Sequence, residues 1–412
     1  MSSGEFKKGW KSLFAGMTGV ATGASPIPFN TLPIVIGPIN AAMGWSFQEI
    51  SIGIAIYGTV GALLAPAVGA LADRFGTKPV ALISLLGFGL AFGSMAFVPD
   101  SLAAFYAVWA LIGVVGIGST PVSWSRSINL WFFENRGLAL GILLLGTSLA
   151  GLVVPQIANA ALGASGWRNV FLVLAALPLF VGFPIALLLF RDPEPDERPA
   201  QISQGSDALT GLTLRETLLG YRFWVLFVSI TCIALAYGGA HIHMVQMVQF
   251  HGIDPGTAAS VMSVVALGIF SGRIIVGLLF DRFWAPGVAI PVLLLPIIAC
   301  YFLIGSTTPT FIIFLAGYCL GFAAGAESDM IAYLASRYFG MKAYGRTYGF
   351  LYMPFGIFSS LSATMYGGVR DQTGNYDLAL WWAMGLFAVG GLILITLGRY
   401  PVWSSENAGE TT

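Results

Sequence analysis

The sequence predicts an all-α membrane protein, with twelve transmembrane helices in two pseudo-symmetric six-helix bundles. Three observations carry the prediction. Of 412 residues, 57% are apolar and only 9% are charged, with a mean hydropathy of +0.82. A soluble domain carries roughly 25% charged residues, so this chain cannot cover a water-facing surface but can cover a lipid-facing one. Apolar runs long enough to cross a bilayer recur along the whole chain. Finally, a short polar motif at the end of the second run returns 208 residues later at the end of the eighth.

A membrane helix needs about 20 mostly apolar residues. By that measure the spans are 13–41, 47–72, 79–97, 102–132, 137–163, 168–190, 220–248, 255–280, 286–305, 309–337, 343–369 and 377–398. The first follows a basic start, MSSGEFKKGWKSLF, and is too long for the apolar core of a cleavable signal. It is therefore expected to stay as the first helix. Most connections are short. The exception, 191–219, is rich in Pro, Asp, Glu and Arg and lies near mid-chain. The expected domains are an N-terminal bundle (1–190), a cytoplasmic linker (191–219) and a C-terminal bundle with a short tail (220–412).

Charge placement tests the count. With the N-terminus in the cytoplasm, 15 of the 19 Lys and Arg residues fall on the cytoplasmic side, including Lys7, Arg74, Arg136, Arg282, Arg337 and Arg399. Arg168 and Arg370 fall outside, and Arg126 and Arg273 fall within spans. Cytoplasmic loops carry the excess of positive charge, so both termini are expected in the cytoplasm. The chain has no N-x-S/T sequon, in keeping with a bacterial inner membrane protein.

The balance of 19 basic and 19 acidic residues gives no basic field for nucleic acid. Cys232, Cys300 and Cys319 all lie in apolar runs, so no disulfide framework and no metal-type Cys/His spacing is expected. No P-loop, H-E-x-x-H or plausible G-x-S-x-G set is present. An ATPase engine is excluded, and no enzyme, cofactor or metal site is expected. A channel would need a repeated pore-lining filter, which the sequence lacks.

The repeated motif is G-x-x-x-D-R-F: Gly69, Asp73, Arg74 and Phe75 in one half, and Gly277, Asp281, Arg282 and Phe283 in the other. The glycine admits a close helix neighbour. The paired charges at the interface suit a latch that forms and releases between the halves. With Gly76 and Lys78, the segment 69–78 resembles the hallmark loop of the major facilitator superfamily, with Thr77 where a basic residue is common. The junction Asn129–Gly141 and the run Gly272-Arg273-Ile-Ile-Val-Gly277 resemble the monocarboxylate transporters and the related oxalate/formate exchangers. In those families the span-eight arginine is associated with the substrate carboxylate. An acidic residue one turn before it is common, and here that position is Ile269.

Ionisable groups inside the membrane are costly and mark function by default. Arg273 lies about 12 Å from its helix end and Glu327 about 15 Å from its own, at 1.5 Å per residue. Arg273 presents a fork that fits a carboxylate; the bland alternative is a structural ion pair. Glu327 and Asp329 differ by about 200° around span ten, so one can take a proton while the other braces the bundle. Arg126 either snorkels to the interface or points into the cavity. His241 and His243, two apart in span seven, are further proton candidates. Asn30, in the proline-broken first span, is a candidate donor to substrate. Tyr57, Trp124 and Tyr352 either line an apolar site or fill the bundle core. Gly141, Gly146 and Gly151 with Pro155 in span five read as a pivot surface.

The resemblance implies a secondary active transporter, a proton-coupled symporter of an organic monocarboxylate, aromatic or not, working by alternating access as a monomer. The alternatives are an anion exchanger, an exporter of a hydrophobic compound and, more remotely, a solute-sensing receptor.

Overall fold

A computed structural model describes residues 3–132, 135–194, 196–197, 211–280, 282–340 and 343–401. The first span is two helices, α1 (Ser3–Ala21) and α2 (Pro26–Met43). Pro26 and Pro28 have no N–H to give, which interrupts the ladder between them. Neighbouring side chains take up the freed backbone groups: Ala24 N donates to Ser119 Oγ at 3.0 Å, and the Tyr57 hydroxyl donates to Ala24 O. A side chain at Gly23 would overlap Ser119 O, so this break requires glycine.

The second span is α3 (Phe47–Phe75), opened by a capping box between Ser46 and Glu49. Gly76, at φ +86°, makes the tight turn into α4 (Thr77–Ser94). The fourth span is divided at Pro121 into α5 (Leu102–Gly116) and α6 (Pro121–Trp131). Spans five and six run on as α7 (Arg136–Leu177), broken at Ser165 and Gly166, then a wide turn at Pro178–Gly182 and α8 (Phe183–Leu189).

A short linker helix, α9 (Leu214–Leu219), leads into α10 (Tyr221–Ile242) and α11 (Met244–Phe250), which are interrupted at His243. The remaining spans are α12 (Pro255–Phe280), α13 (Ala285–Leu303), α14 (Thr310–Phe339), α15 (Tyr344–Thr373) and α16 (Asp377–Leu392).

Among the described residues, nine segments are long and apolar enough to cross a membrane, and one of them, Leu138–Leu189, contains two spans. The first span is missed because it is broken, and α15 because it is rich in Gly, Ser and Tyr. Large apolar side chains such as Ile83, Phe180, Leu188 and Phe311 are more than 70% exposed. A water-facing surface would not leave them so, whereas lipid receives them without cost.

The two bundles meet along α3 against α15, α7 against α12, and α2 against α10 and α11. The first two pairings are related by the internal repeat. Small residues let the backbones approach: a Cβ at Gly58 would overlap Ser360 Oγ, one at Gly367 would lie 2.8 Å from Gln48 Cα, and one at Gly151 would lie 2.9 Å from Ala266 Cβ.

This seam is uneven. At the end away from the linker, Asp371 accepts from Phe47 N (3.0 Å) and Gln48 N (2.8 Å), so a C-bundle carboxylate caps an N-bundle helix. Further in, Gln246 Nε2 donates to Pro33 O at 2.9 Å, Gln156 Nε2 to Ser263 Oγ at 2.9 Å and Ser263 Oγ to Leu152 O at 3.1 Å. At the linker end, side chains added at Gly69, Gly141 or Gly277 would meet nothing within 4 Å among the described residues. The bundles are closed at the far end and parted at the linker end.

The open linker end leaves Gly69 and Gly277 without a described neighbour within 4 Å in this conformation, so the close approach expected of them is proposed for the closed state. It also divides the glycine series of α7. Gly146 packs on Met17 O within its own bundle, and Gly151 alone of the three meets the other bundle.

Gly58→Val is expected to force α3 and α15 apart and weaken far-end closure, since overpacking a tight contact costs about 1–3 kcal/mol. A membrane-impermeant thiol reagent should then label a Gln48→Cys reporter faster than it does without the Gly58 change.

Candidate functional site

Arg273 projects from α12, half-buried, and its Nη1 donates to Leu144 O on α7 at 3.0 Å. Its Nε is buried with no hydrogen-bond partner. This bond crosses the seam about 12 Å in from the linker end, just where the two bundles begin to part. An arginine is charged under all ordinary conditions, and one neutral carbonyl leaves most of its donors and all of its charge available.

Glu327 on α14 is fully buried, and neither carboxyl oxygen has a hydrogen-bond partner. The helix geometry explains where it faces. Gly321 and Gly325 press directly onto the α12 backbone at Val265 O and Ile269 O. Two residues on, the helix has turned about 200°, so Glu327 faces away from α12. Its electrostatic neighbours are Tyr237 on α10 and Tyr352 on α15. Tyr352 is also within electrostatic reach of Arg273, so it is a neighbour shared by the site's cation and its acid. It belongs to an aromatic ladder on α15 with Tyr348 and Phe355, at ring separations of 5.8 and 5.2 Å.

Tyr237 continues the polar line. Its hydroxyl hydrogen-bonds His241 Nδ1 at 3.0 Å, one turn along the same helix, and His241 also bonds the Phe29 backbone in the other bundle. His243 lies apart from this line. It is fully buried, its Nε2 donates to Ala363 O at 3.0 Å with Ser51 Oγ at 3.2 Å, and its Nδ1 bonds Tyr376 OH at 3.1 Å. Because a carbonyl only accepts, Nε2 carries the hydrogen and Nδ1 accepts from the tyrosine. Ser51 belongs to the N-terminal bundle, so His243 ties the bundles together at the closed end, and its contacts make it a seam residue.

The other candidates separate. Trp124 is corrected from site to core: it has no exposed surface, stacks edge-on to Phe190 at 4.8 Å and spends its N–H on Ser119 O at 3.0 Å. Tyr57 is buried between Phe29 and Trp109 and braces the break in the first span. Asn30 Nδ2 donates to Pro26 O at 2.8 Å, one turn back in its own helix, so its amide supports the broken backbone. Arg126 Nη1 reaches Thr77 Oγ1 at 3.3 Å, the start of α4 at the linker end, which favours its interfacial alternative over the cavity.

In the first loop, Lys78 Nζ donates to Leu187 O at 2.8 Å, while the exposed Arg74 lies over the Phe75 ring. Arg282 is exposed at the equivalent place in the other half. Asp281 and the side chains of Asp73 and Asp329 lie outside the described residues. Among those residues, no group of three or more His, Cys, Asp or Glu side chains could hold a metal ion.

Residues 18–363 match the family model of the Major Facilitator Superfamily, and the chain belongs to that superfamily. Family and fold are those of membrane transporters. The monocarboxylate transporters are similar over most of their length. Monocarboxylate transporter 13 of Rattus norvegicus is 26% identical over 368 residues, covering 85% of this chain and 79% of the relative. Monocarboxylate transporter 11 of Homo sapiens is 25% identical over 358 residues, covering 81% and 71%. The fold matches a bacterial homolog of the human lysosomal transporter Spinster, in its inward-facing and occupied crystal structure, with a TM-score of 0.71, 14% identity and coverage of 98% and 100%.

His243→Ala is expected to orphan Tyr376 and Ala363 O, at about 1–3 kcal/mol. The thermal midpoint of the purified protein should fall, and Tyr376→Phe in the His243→Ala background should add little to the loss.

Proposed function

We propose that this protein is a proton-coupled symporter of an organic monocarboxylate, with Arg273 as the anion anchor and Glu327 as the proton carrier. The observation that carries the proposal is the pairing state of these two groups. One seam arginine holds a single neutral carbonyl, and one fully buried carboxyl group holds nothing, with Tyr352 as their shared electrostatic neighbour.

The mechanism follows from competition for the guanidinium. A substrate carboxylate arriving from the open linker end meets Arg273 and forms a forked, charge-assisted pair stronger than the bond to Leu144 O. The strap between α12 and α7 is then free to rearrange. A buried carboxylate without a donor costs several kcal/mol, and that cost falls on the charged form alone. Loading Glu327 with a proton removes the cost, so substrate charge and proton enter together. Tyr237 and His241, hydrogen-bonded to each other, form a polar step from Glu327 toward the closed end. The relatives named monocarboxylate transporters support the substrate class.

In this proposal the chain is a monomer in a bacterial inner membrane with both termini cytoplasmic. The working units are 1–190 and 220–412, joined by 191–219, and the loops around Asp73–Lys78 and Asp281–Arg282 latch the linker end when it closes. Asp329 remains an alternative proton carrier.

In proteoliposomes, an inward proton gradient should drive accumulation of a radiolabelled monocarboxylate. Arg273→Lys keeps the charge and loses the fork, and uptake should fall by about tenfold or more, the scale of one charge-assisted hydrogen bond, at normal membrane expression. Uptake at the unmodified rate would remove Arg273 from the site. Glu327→Gln should abolish the response to the gradient while exchange against preloaded substrate persists. Unchanged gradient-driven accumulation would pass the proton role to Asp329.

A further inference from the structure

The internal repeat lays residue n of the first half on residue n + 208 of the second, and the structure keeps this register at the linker end. In the N-terminal bundle, Thr77 N at the start of α4 donates to Asp192 Oδ2 at 2.8 Å. In the C-terminal bundle, the equivalent Ala285 N at the start of α13 donates to Tyr400 OH at 2.9 Å. The same junction is built twice, but the carboxylate of the first copy is a neutral hydroxyl in the second.

The surrounding cations are redistributed: Lys78 and Arg126 of the first copy correspond to Pro286 and Leu334. Arg74 and Arg191 of the first half correspond to Arg282 and Arg399, and Asn129 corresponds to a third arginine, Arg337. Arg191 is matched by an acid: its Nη2 donates to Glu197 Oε1 at 2.6 Å, and that hydrogen bond holds the Glu197 carboxyl down at about 2. In the second half, Arg282, Arg337 and Arg399 converge with Phe283, Trp284 and Tyr400 on a cavity of about 610 Å³. The Arg337 guanidinium lies 5.2 Å over the Tyr400 ring. Asp281, outside the described residues, has its counterpart in Asp73, so it does not account for the difference between the halves. The second copy lacks the Asp192 carboxylate and gathers three arginines beside the positive end of a 19-residue helix.

We propose that this pocket binds a phosphate group, that of an anionic phospholipid at the membrane surface. The guanidinium forks of Arg282 and Arg399, from two chain segments and with Arg337 beside them, suit phosphate oxygens. Phe283 and Trp284, 61% and 40% exposed, provide the aromatic border found where acyl chain meets headgroup. The lipid phosphate stands where Asp192 stands in the other half, and it ties the end of α12 to the ends of α14 and α16.

The test is native mass spectrometry of the full chain in detergent, titrated separately with phosphatidylglycerol, phosphatidylcholine of the same acyl chains and inorganic phosphate. Phosphatidylglycerol should bind about tenfold more tightly than phosphatidylcholine, and the double variant Arg282→Gln/Arg399→Gln should lose that preference. Arg282→Lys/Arg399→Lys, which keeps the charge, should retain most of it, and Arg74→Gln in the other half should leave it unchanged. Equal affinity for the two lipids, or full preference in the Gln double variant, would overturn the proposal. Displacement of phosphatidylglycerol by equimolar inorganic phosphate would overturn the lipid assignment. None of these outcomes depends on what the protein transports.

Discussion

A bilayer interior offers a buried polar group no water, and that constraint orders this structure. Where the first span breaks, neighbours take up its backbone groups: Ala24 is held by Ser119 and Tyr57. His243 is bonded on both ring nitrogens. Among the charged side chains inside the spans, two stand out. Arg273 makes one bond with part of its fork, and Glu327 makes none.

The same constraint accounts for the unevenness of the seam. The closed end joins the bundles through Asp371 capping α3 and His243 bridging to Ser51, contacts that are directional and shared between the halves. Glycines at 58 and 367 bring the backbones within reach. At the linker end the equivalent surfaces are apart, and among the described residues Arg273 makes the inter-bundle bond nearest that opening. A bundle pair fixed at one end and held near the other by one replaceable bond can rock about the middle, where Gly151 meets Ala266.

Much of the fold was legible because lipid imposes simple rules on sequence. Span lengths, the charge asymmetry of the loops and the 208-residue repeat each follow from a bilayer of fixed thickness and a duplicated bundle. The first span and α15 are the weakest by hydropathy, one broken by prolines and the other rich in Gly, Ser and Tyr, yet both are long enough to be read as spans and both are helical. At the site, Arg273 and Glu327 were legible because charge inside a span is rare. Trp124 was not, since an aromatic residue in a bundle has the same sequence signature in core and cavity, and only its bond to Ser119 O decides. Tyr237 was missed although its i, i+4 spacing to His241 was available as a signal. Asp371 and Leu144 were missed because their roles depend on a contact between bundles that no local pattern encodes.

The central claim is that a carboxylate anion competes with Leu144 O for Arg273 and thereby closes the linker end. The most direct measurement is the distance between spin labels at Gly141→Cys and Gly277→Cys, with the native cysteines replaced, recorded with and without saturating monocarboxylate below neutral pH. The account predicts that substrate shortens this distance and that Arg273→Gln abolishes the change. A distance distribution indifferent to every carboxylate tested, or a substrate response that survives Arg273→Gln, would contradict it.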